Sequence, residues 1–216
     1  MAARIAGPGP GAVLDVGAGS GRLLAALATR GWTVSGVDPS APLIEEARKR
    51  LPEAAERLLV APAEELPFPD GSFDLAIVIA VLEYTDLDKA VGELVRVLRP
   101  GGRVVVGLWH CSAPTTVWHQ RVMLPLARRV KRRPVRSLQR RPLSLERATA
   151  ALTTAGLVIE GAERAGAMVF PDPLDRLAPR LAYRAARRAE RSRLLRRVFA
   201  TQRPVAARKP TFPTPR

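Results

Sequence analysis

Residues 12–22 read Ala-Val-Leu-Asp-Val-Gly-Ala-Gly-Ser-Gly-Arg. Val13, Leu14 and Val16 form a short apolar run bounded by glycine, the pattern of a buried parallel strand. Gly17, Gly19 and Gly21 then give a turn with no side chains in the way. Leu23, Leu24, Leu27 and Ala28 follow at helical spacing. Strand, bare turn and helix together bring backbone N–H groups and a helix N-terminus close to a ligand. Asp15 adds a carboxylate near the strand's carboxyl end.

Two kinds of ligand suit such a turn. A dinucleotide site shows G-x-G-x-x-G and seats a pyrophosphate on the helix. Here the spacing is G-x-G-x-G, and Arg22 stands where the third dinucleotide glycine would be. A pyrophosphate also gains nothing from Asp15, whereas a ligand with an ammonium group does. S-adenosylmethionine has an amino-acid tail, a sulfonium and an adenosine, and no phosphate. Thr33–Val37 is a second apolar strand and ends at Asp38, 21 residues after Gly17. An acid there can accept hydrogen bonds from two ribose hydroxyls. It supports a nucleoside and fits both cofactors. Taken alone, the glycines also fit a plain tight turn.

Outward from this stretch, the first helix is expected to reach about Arg30, with Gly31 as its cap. A strand over 32–37 follows, and Pro39 and Ser40 open a helix through Glu45–Arg50 that Pro52 stops. Leu58–Val60 is a short strand, Ala61–Gly71 a loop, and Phe73–Val81 a buried central strand. Asp86–Leu98 is a helix with Leu87, Val91, Leu94, Val95 and Leu98 on one face and Asp86 at its N-cap or first turn. Pro100-Gly101-Gly102 turns into a strand over Arg103–Leu108. Ser144 caps a helix running to about Ala155, Gly156 ends it, and Leu157–Ile159 resumes strand character. A final strand is expected over 200–208, with Pro204 arguing against a central position. The alternation predicts an α/β, doubly wound, mostly parallel sheet.

The length of 216 residues suits one such domain, here 12–209. Residues 1–11 are expected as a flexible lead-in, 110–142 as a basic insertion, 173–197 as a basic helical segment and 210–216 as a disordered tail. The single cysteine, Cys111, rules out an internal disulfide framework and fits a reducing, cytoplasmic setting. The longest purely apolar run, Leu75–Leu82, is far too short to span a membrane. Charge is unevenly placed. Residues 1–120 hold 11 Lys/Arg and 14 Asp/Glu, a net of −3; residues 121–216 hold 24 and 6, a net of +18. A basic half of this kind attracts nucleic acid or an anionic membrane surface, or simply fills solvated helix faces.

Four segments resemble one family. Val13–Leu24, Val34–Ser40, Ala63–Tyr84 and Val97–Val106 stand in the order and register of the class I S-adenosylmethionine-dependent methyltransferases, in the bacterial small-molecule branch with the Leu-Pro-Phe loop. Residues 206–210 resemble the end of that family's last strand. The resemblance implies a Rossmann-like seven-stranded sheet whose last strand is antiparallel. It implies S-adenosylmethionine as cofactor and methyl transfer to a small-molecule acceptor. Asp15, Gly17, Ala18 and Gly19 would line its methionine part, and Asp38 would hold the ribose, with Pro39 and Ser40 edging the adenine. Ala63 and Glu64 would lie along the adenine, Val78 and Ile79 near the sulfonium, and Tyr84 at the mouth shared with the acceptor. Pro62 stands where the family often has an acid. Only about a dozen residues precede the first strand, where members of the family commonly have a helical cover, so the expectation is an open site, a cover supplied by 110–142, or a shortened chain.

Methyl transfer needs alignment and often a base. His110, directly after the fifth strand, is the candidate base, ahead of His119; a solvated histidine is the plainer reading of each. Glu83 lies near the same mouth, and Trp109 and Trp118 could wall an apolar acceptor. One Cys and two His at these spacings make no tetrahedral zinc site, so no metal is expected. Ile79-Ala80-Val81-Leu82 replaces the Asn/Asp-Pro-Pro-aromatic motif of base-methylating enzymes, which lowers that reading despite the charge. Recruitment to RNA or to an anionic membrane carrying a lipid or quinone-like acceptor is the alternative, as is a binding module without turnover.

Overall fold

The computed structural model describes residues 9–109, 143–162, 165–167 and 200–211. Among them the order is β1 (Gly11–Val16), α1 (Arg22–Ala28), β2 (Trp32–Asp38), α2 (Ala41–Arg50), β3 (Leu58–Val60), β4 (Phe73–Ile79), α3 (Leu87–Val97), β5 (Leu98–Trp109), α4 (Leu145–Thr154), β6 (Val158–Ala162), β7 (Ala165–Ala167) and β8 (Ala200–Arg208). Short 3₁₀ turns occupy Pro52–Arg57 and Leu82–Tyr84. His110, Cys111, Trp118, His119, the insertion 110–142 and the segment 173–197 lie outside the described residues, as do 1–8 of the lead-in and 212–216 of the tail. The chain divides into two compact units, one of 1–107, 141–162 and 205–216, the other of 108–140 and 163–204.

The strands lie in the order β3-β2-β1-β4-β5-β8-β6, with β7 paired to β8. Neighbours from β3 to β5 are parallel, and β8 runs antiparallel to β6 and β7. Parallel strands are buried on both faces, which is why β1 and β4 read as apolar runs. A core cluster joins Val13, Val34, Leu75 and Ile77 of the sheet to Leu24 and Leu27 of α1 and Ile44 of α2. Truncating one of these leucines to alanine is expected to cost about 2–5 kcal/mol. Helix α3 presents Ala90, Val91, Leu94 and Val97 inward, and Asp86 caps it by accepting from the Lys89 N–H at 3.4 Å. Ser144 caps α4 through the Arg147 N–H.

Four expectations change in detail. Helix α1 stops at Ala28 rather than near Arg30, and Gly31, at φ +85°, donates its N–H to the Ala28 carbonyl. Strand β4 ends at Ile79 and not Val81, because Ala80 turns into the left-handed region at φ +57°. Strand β5 begins at Leu98, before the expected turn. Partnering jumps from Phe73↔Leu98 to Leu75↔Arg103, so Pro100-Gly101-Gly102 bulges out within the strand. There Gly101 and Gly102 exchange backbone hydrogen bonds with Lys209, at 2.9 and 2.8 Å. Pro204 sits in a strand inside the sheet, against expectation. It is tolerated where the partner of β8 changes, between Val205↔Ala162 on β6 and Gln202↔Ala165 on β7.

Candidate functional site

Because β1, β2, β3 and β4 are parallel, their carboxyl ends open on one edge, where open α/β sheets place ligands. Val16 lies beside Val37 and Val78, Asp38 beside Val60, and Ile79 beside Gly107. The segments leaving these ends are 17–21, 39–40, 61–64 and 80–84, so the sheet brings Asp15, the glycine turn, Asp38, Ala63 and Ile79 to a common edge.

The turn is folded onto the end of β2. Gly17 and Ala18 both donate to the Val37 carbonyl, at 2.8 and 2.9 Å. The Asp38 carboxylate accepts from Gly19 N–H on Oδ2 and from Ser40 N–H on Oδ1, each at 2.9 Å. Arg50 donates to the Ser20 carbonyl from α2. Asp38 therefore orders both loops, while each oxygen keeps a lone pair for a further donor. Gly17 and Gly19 serve different ends. A Cβ at Gly17, whose φ is +81°, would stand 2.3 Å from Val81 Cγ2; at Gly19 nothing lies within 4 Å. The first glycine admits a neighbour, and the second leaves open space.

Asp15 is 4% exposed, and burial, then the Asp38 charge, push its carboxyl up to about 7. A buried carboxylate poised there is stabilised by an incoming cation. Val78 has no exposed surface, so its side chain faces the core, while Ile79 is half-buried. Ala63 is buried, Pro39 exposed and Ser40 half-buried. The Glu64 carboxylate accepts from the Asp86 N–H at 2.9 Å. Tyr84 is exposed and Glu83 buried beside it. Among the described residues no cluster of three or more His, Cys, Asp or Glu could hold a metal ion.

Three contributors escape a reading of the sequence: Val81 on the glycine turn, the left-handed Ala80, and a clamp on the Leu-Pro-Phe loop. In that clamp the Arg96 guanidinium donates to the Leu66 and Phe68 carbonyls and to Asp70 and Glu93, all at 2.7–2.8 Å. Glu93 in turn accepts from the Leu66 N–H at 2.7 Å. Only the Glu93–Arg96 spacing of three on a helix is a local signal.

Residues 14–106 match a family model described as a methyltransferase domain. This segment is a methyltransferase domain. Among its relatives is an uncharacterised methyltransferase of Mycobacterium tuberculosis, 41% identical over 106 residues, 49% of this chain and 42% of that protein. Another is a demethylmenaquinone methyltransferase of Thermus thermophilus, 42% identical over 102 residues, 45% of this chain and 46% of that protein. The chain thus spans less than half the length of the curated relatives it matches. An S-adenosylmethionine-dependent methyltransferase from Mesorhizobium loti shares the fold of the methyltransferase domain, with a TM-score of 0.65, 22% identity and 96% of each chain covered.

Proposed function

We propose that this chain transfers a methyl group from S-adenosylmethionine to a small-molecule acceptor by in-line displacement. The observation that carries this reading is the pair of buried carboxylates, Asp15 and Asp38, on either side of a glycine turn that leaves open space at Gly19. Two acids beside the turn suit an ammonium and a ribose. Asp15 would face the cofactor's ammonium, Asp38 its ribose hydroxyls, Pro39 and Ser40 the edge of the adenine, and Ala63 its face. When bound, the cofactor supplies an electrophilic methyl carbon, whose bond to sulfur breaks as its bond to the acceptor forms. The chain's part is to align that carbon with the acceptor and take up the acceptor's proton. His110 is the proposed base, and Tyr84 would stand at the acceptor mouth.

Calorimetry with S-adenosylmethionine tests the cofactor site. Binding by the wild type, lost on Asp38→Ala and on joint replacement of Gly17 and Gly19 by Val, is the expected result. A folded wild type that binds nothing overturns the reading. Formation of S-adenosylhomocysteine with a panel of acceptors then separates an enzyme from a binding module. Because one relative is named a demethylmenaquinone methyltransferase, quinone-like acceptors head that panel.

The net charge of +18 over residues 121–216 favours a second reading, an enzyme recruited to an anionic surface. Activity raised by anionic vesicles or by RNA, and lost with salt, would support it; activity indifferent to both would remove it.

A further inference from the structure

We infer that Glu64 and Val81 are positioning residues that tie one segment, Ala80–Asp86, to both walls of the proposed cofactor pocket, so that cofactor binding sets the acceptor mouth. This rests on the reading above and adds a route by which one ligand prepares the place of the other. The segment is fixed at both ends. At its start Ala80 holds a left-handed φ of +57° and donates its N–H to the Gly107 carbonyl at 2.8 Å. At its finish Asp86 caps α3. Along its length it meets the walls of the proposed pocket twice. The Val81 side chain lies directly on Gly17, so close that a Cβ there would be 2.3 Å from Cγ2. The Asp86 N–H is held by Glu64 Oε1 at 2.9 Å, and Glu64 follows Ala63 in the loop along the adenine side.

The same seven residues carry the buried Leu82 and Glu83 and the exposed Tyr84. A ligand that shifts or stiffens the glycine turn acts on Val81, and one that orders the 61–64 loop acts on Asp86. Neither movement can be absorbed within so short a segment held at both ends, and both reach Tyr84. Packed contacts of this kind pass on discrete rearrangements because close-packed groups do not deform smoothly.

The chemistry of the Glu64 contact makes the role testable. The Asp86 N–H needs an acceptor oxygen, not a charge, and glutamine supplies one in the same place. A glutamate that served the cofactor through its charge would not be replaced by glutamine.

The experiment uses the full chain with S-adenosylhomocysteine, calorimetry for affinity and hydrogen exchange for the amides of 80–86. The wild type should bind and gain about tenfold protection across that segment. Glu64→Ala should bind about three- to tenfold more weakly, the worth of one hydrogen bond, and lose the gain in protection. Glu64→Gln should restore both. Val81→Ala is the second variant, and decides alone if Glu64→Ala fails to fold: it should keep the turn and lose the gain over 80–86. A wild-type gain in either alanine variant overturns the inference, as does a glutamine variant that behaves like alanine. A folded wild type that does not bind S-adenosylhomocysteine overturns the cofactor reading instead, and calorimetry shows this before any variant is made.

Discussion

Burial and the neighbouring Asp38 both favour a proton on Asp15, which leaves this carboxyl near 7 and not near its ordinary value of 3.8. Because the folded state binds the proton more tightly than the unfolded chain, this group makes the ligand-free protein less stable as pH rises from about 4 to about 7. A cationic ligand reverses the preference. Cofactor affinity should therefore rise several-fold from about pH 5.5 to about pH 7, below the range where an α-ammonium group loses its own proton. Calorimetry in buffers of differing ionisation enthalpy should register a proton released on binding. An affinity flat over that interval would separate Asp15 from the ligand.

The two glycines of the turn give a paired prediction. Gly17→Ala forces a Cβ onto Val81 at a left-handed φ and should destabilise the fold by about 1–3 kcal/mol, read in a urea titration. Gly19→Ala meets nothing, so at φ +52° it should cost only about 1 kcal/mol of stability. Its main loss should be cofactor affinity, since the methyl group enters the open space.

At the level of single elements, the Leu-Pro-Phe loop is held to α3 by a guanidinium fork. The hydrogen bonds that Arg96 donates to Glu93 and then to Asp70 hold its guanidinium above its ordinary value, and the bond from Arg96 is the main force holding Glu93 below its own. A carboxyl lowered on folding contributes stability above its unfolded value and loses it as pH falls through the folded one, so the clamp should loosen in acid. Arg96→Leu should strip the Leu66 and Phe68 carbonyls of their donors and cost about 2 kcal/mol, a fall of roughly 4–8 °C in melting temperature. No change in melting would mean that the loop holds without the clamp.

How much of this was legible is a matter of distance along the chain. The β1–turn–α1 unit and α3 could be read directly, since apolar period, glycines and the Asp86 cap are local signals. Val81 on Gly17 joins residues 64 apart, and the Arg96 fork reaches back 26–30 residues; no local pattern announces either. Ala80 carries no sign of a left-handed backbone, because alanine seldom adopts one. Pro204 misled because proline disfavours interior strands, and only the change of partner along β8 makes room for it. The carboxylates of the site were legible as residues, but the raised value at Asp15 follows from burial that only the folded chain reveals.

Across the whole molecule, charge separates along the sequence, −3 in residues 1–120 and +18 in 121–216. Binding to anionic vesicles should therefore weaken steeply with salt, and a chain with Arg128, Arg129, Lys131, Arg132 and Arg133 replaced by glutamine should bind them less. Sedimentation with vesicles at low and high ionic strength reads both. Equal sedimentation of the two chains would show that this cluster does not recruit the protein.

The sheet order also fixes a sequence of events at the ribosome. Strand β8 lies between β5 and β6, and Lys209, one residue beyond it, donates to the Val95 and Leu98 carbonyls at the end of α3. A nascent chain thus emerges with the backbone edges of β5 and β6 awaiting a strand that is made after both. Open edges of that kind template pairing between chains. Translation stalled before residue 200 should yield aggregates, whereas the same chain supplied with a peptide of residues 200–211 should stay dispersed.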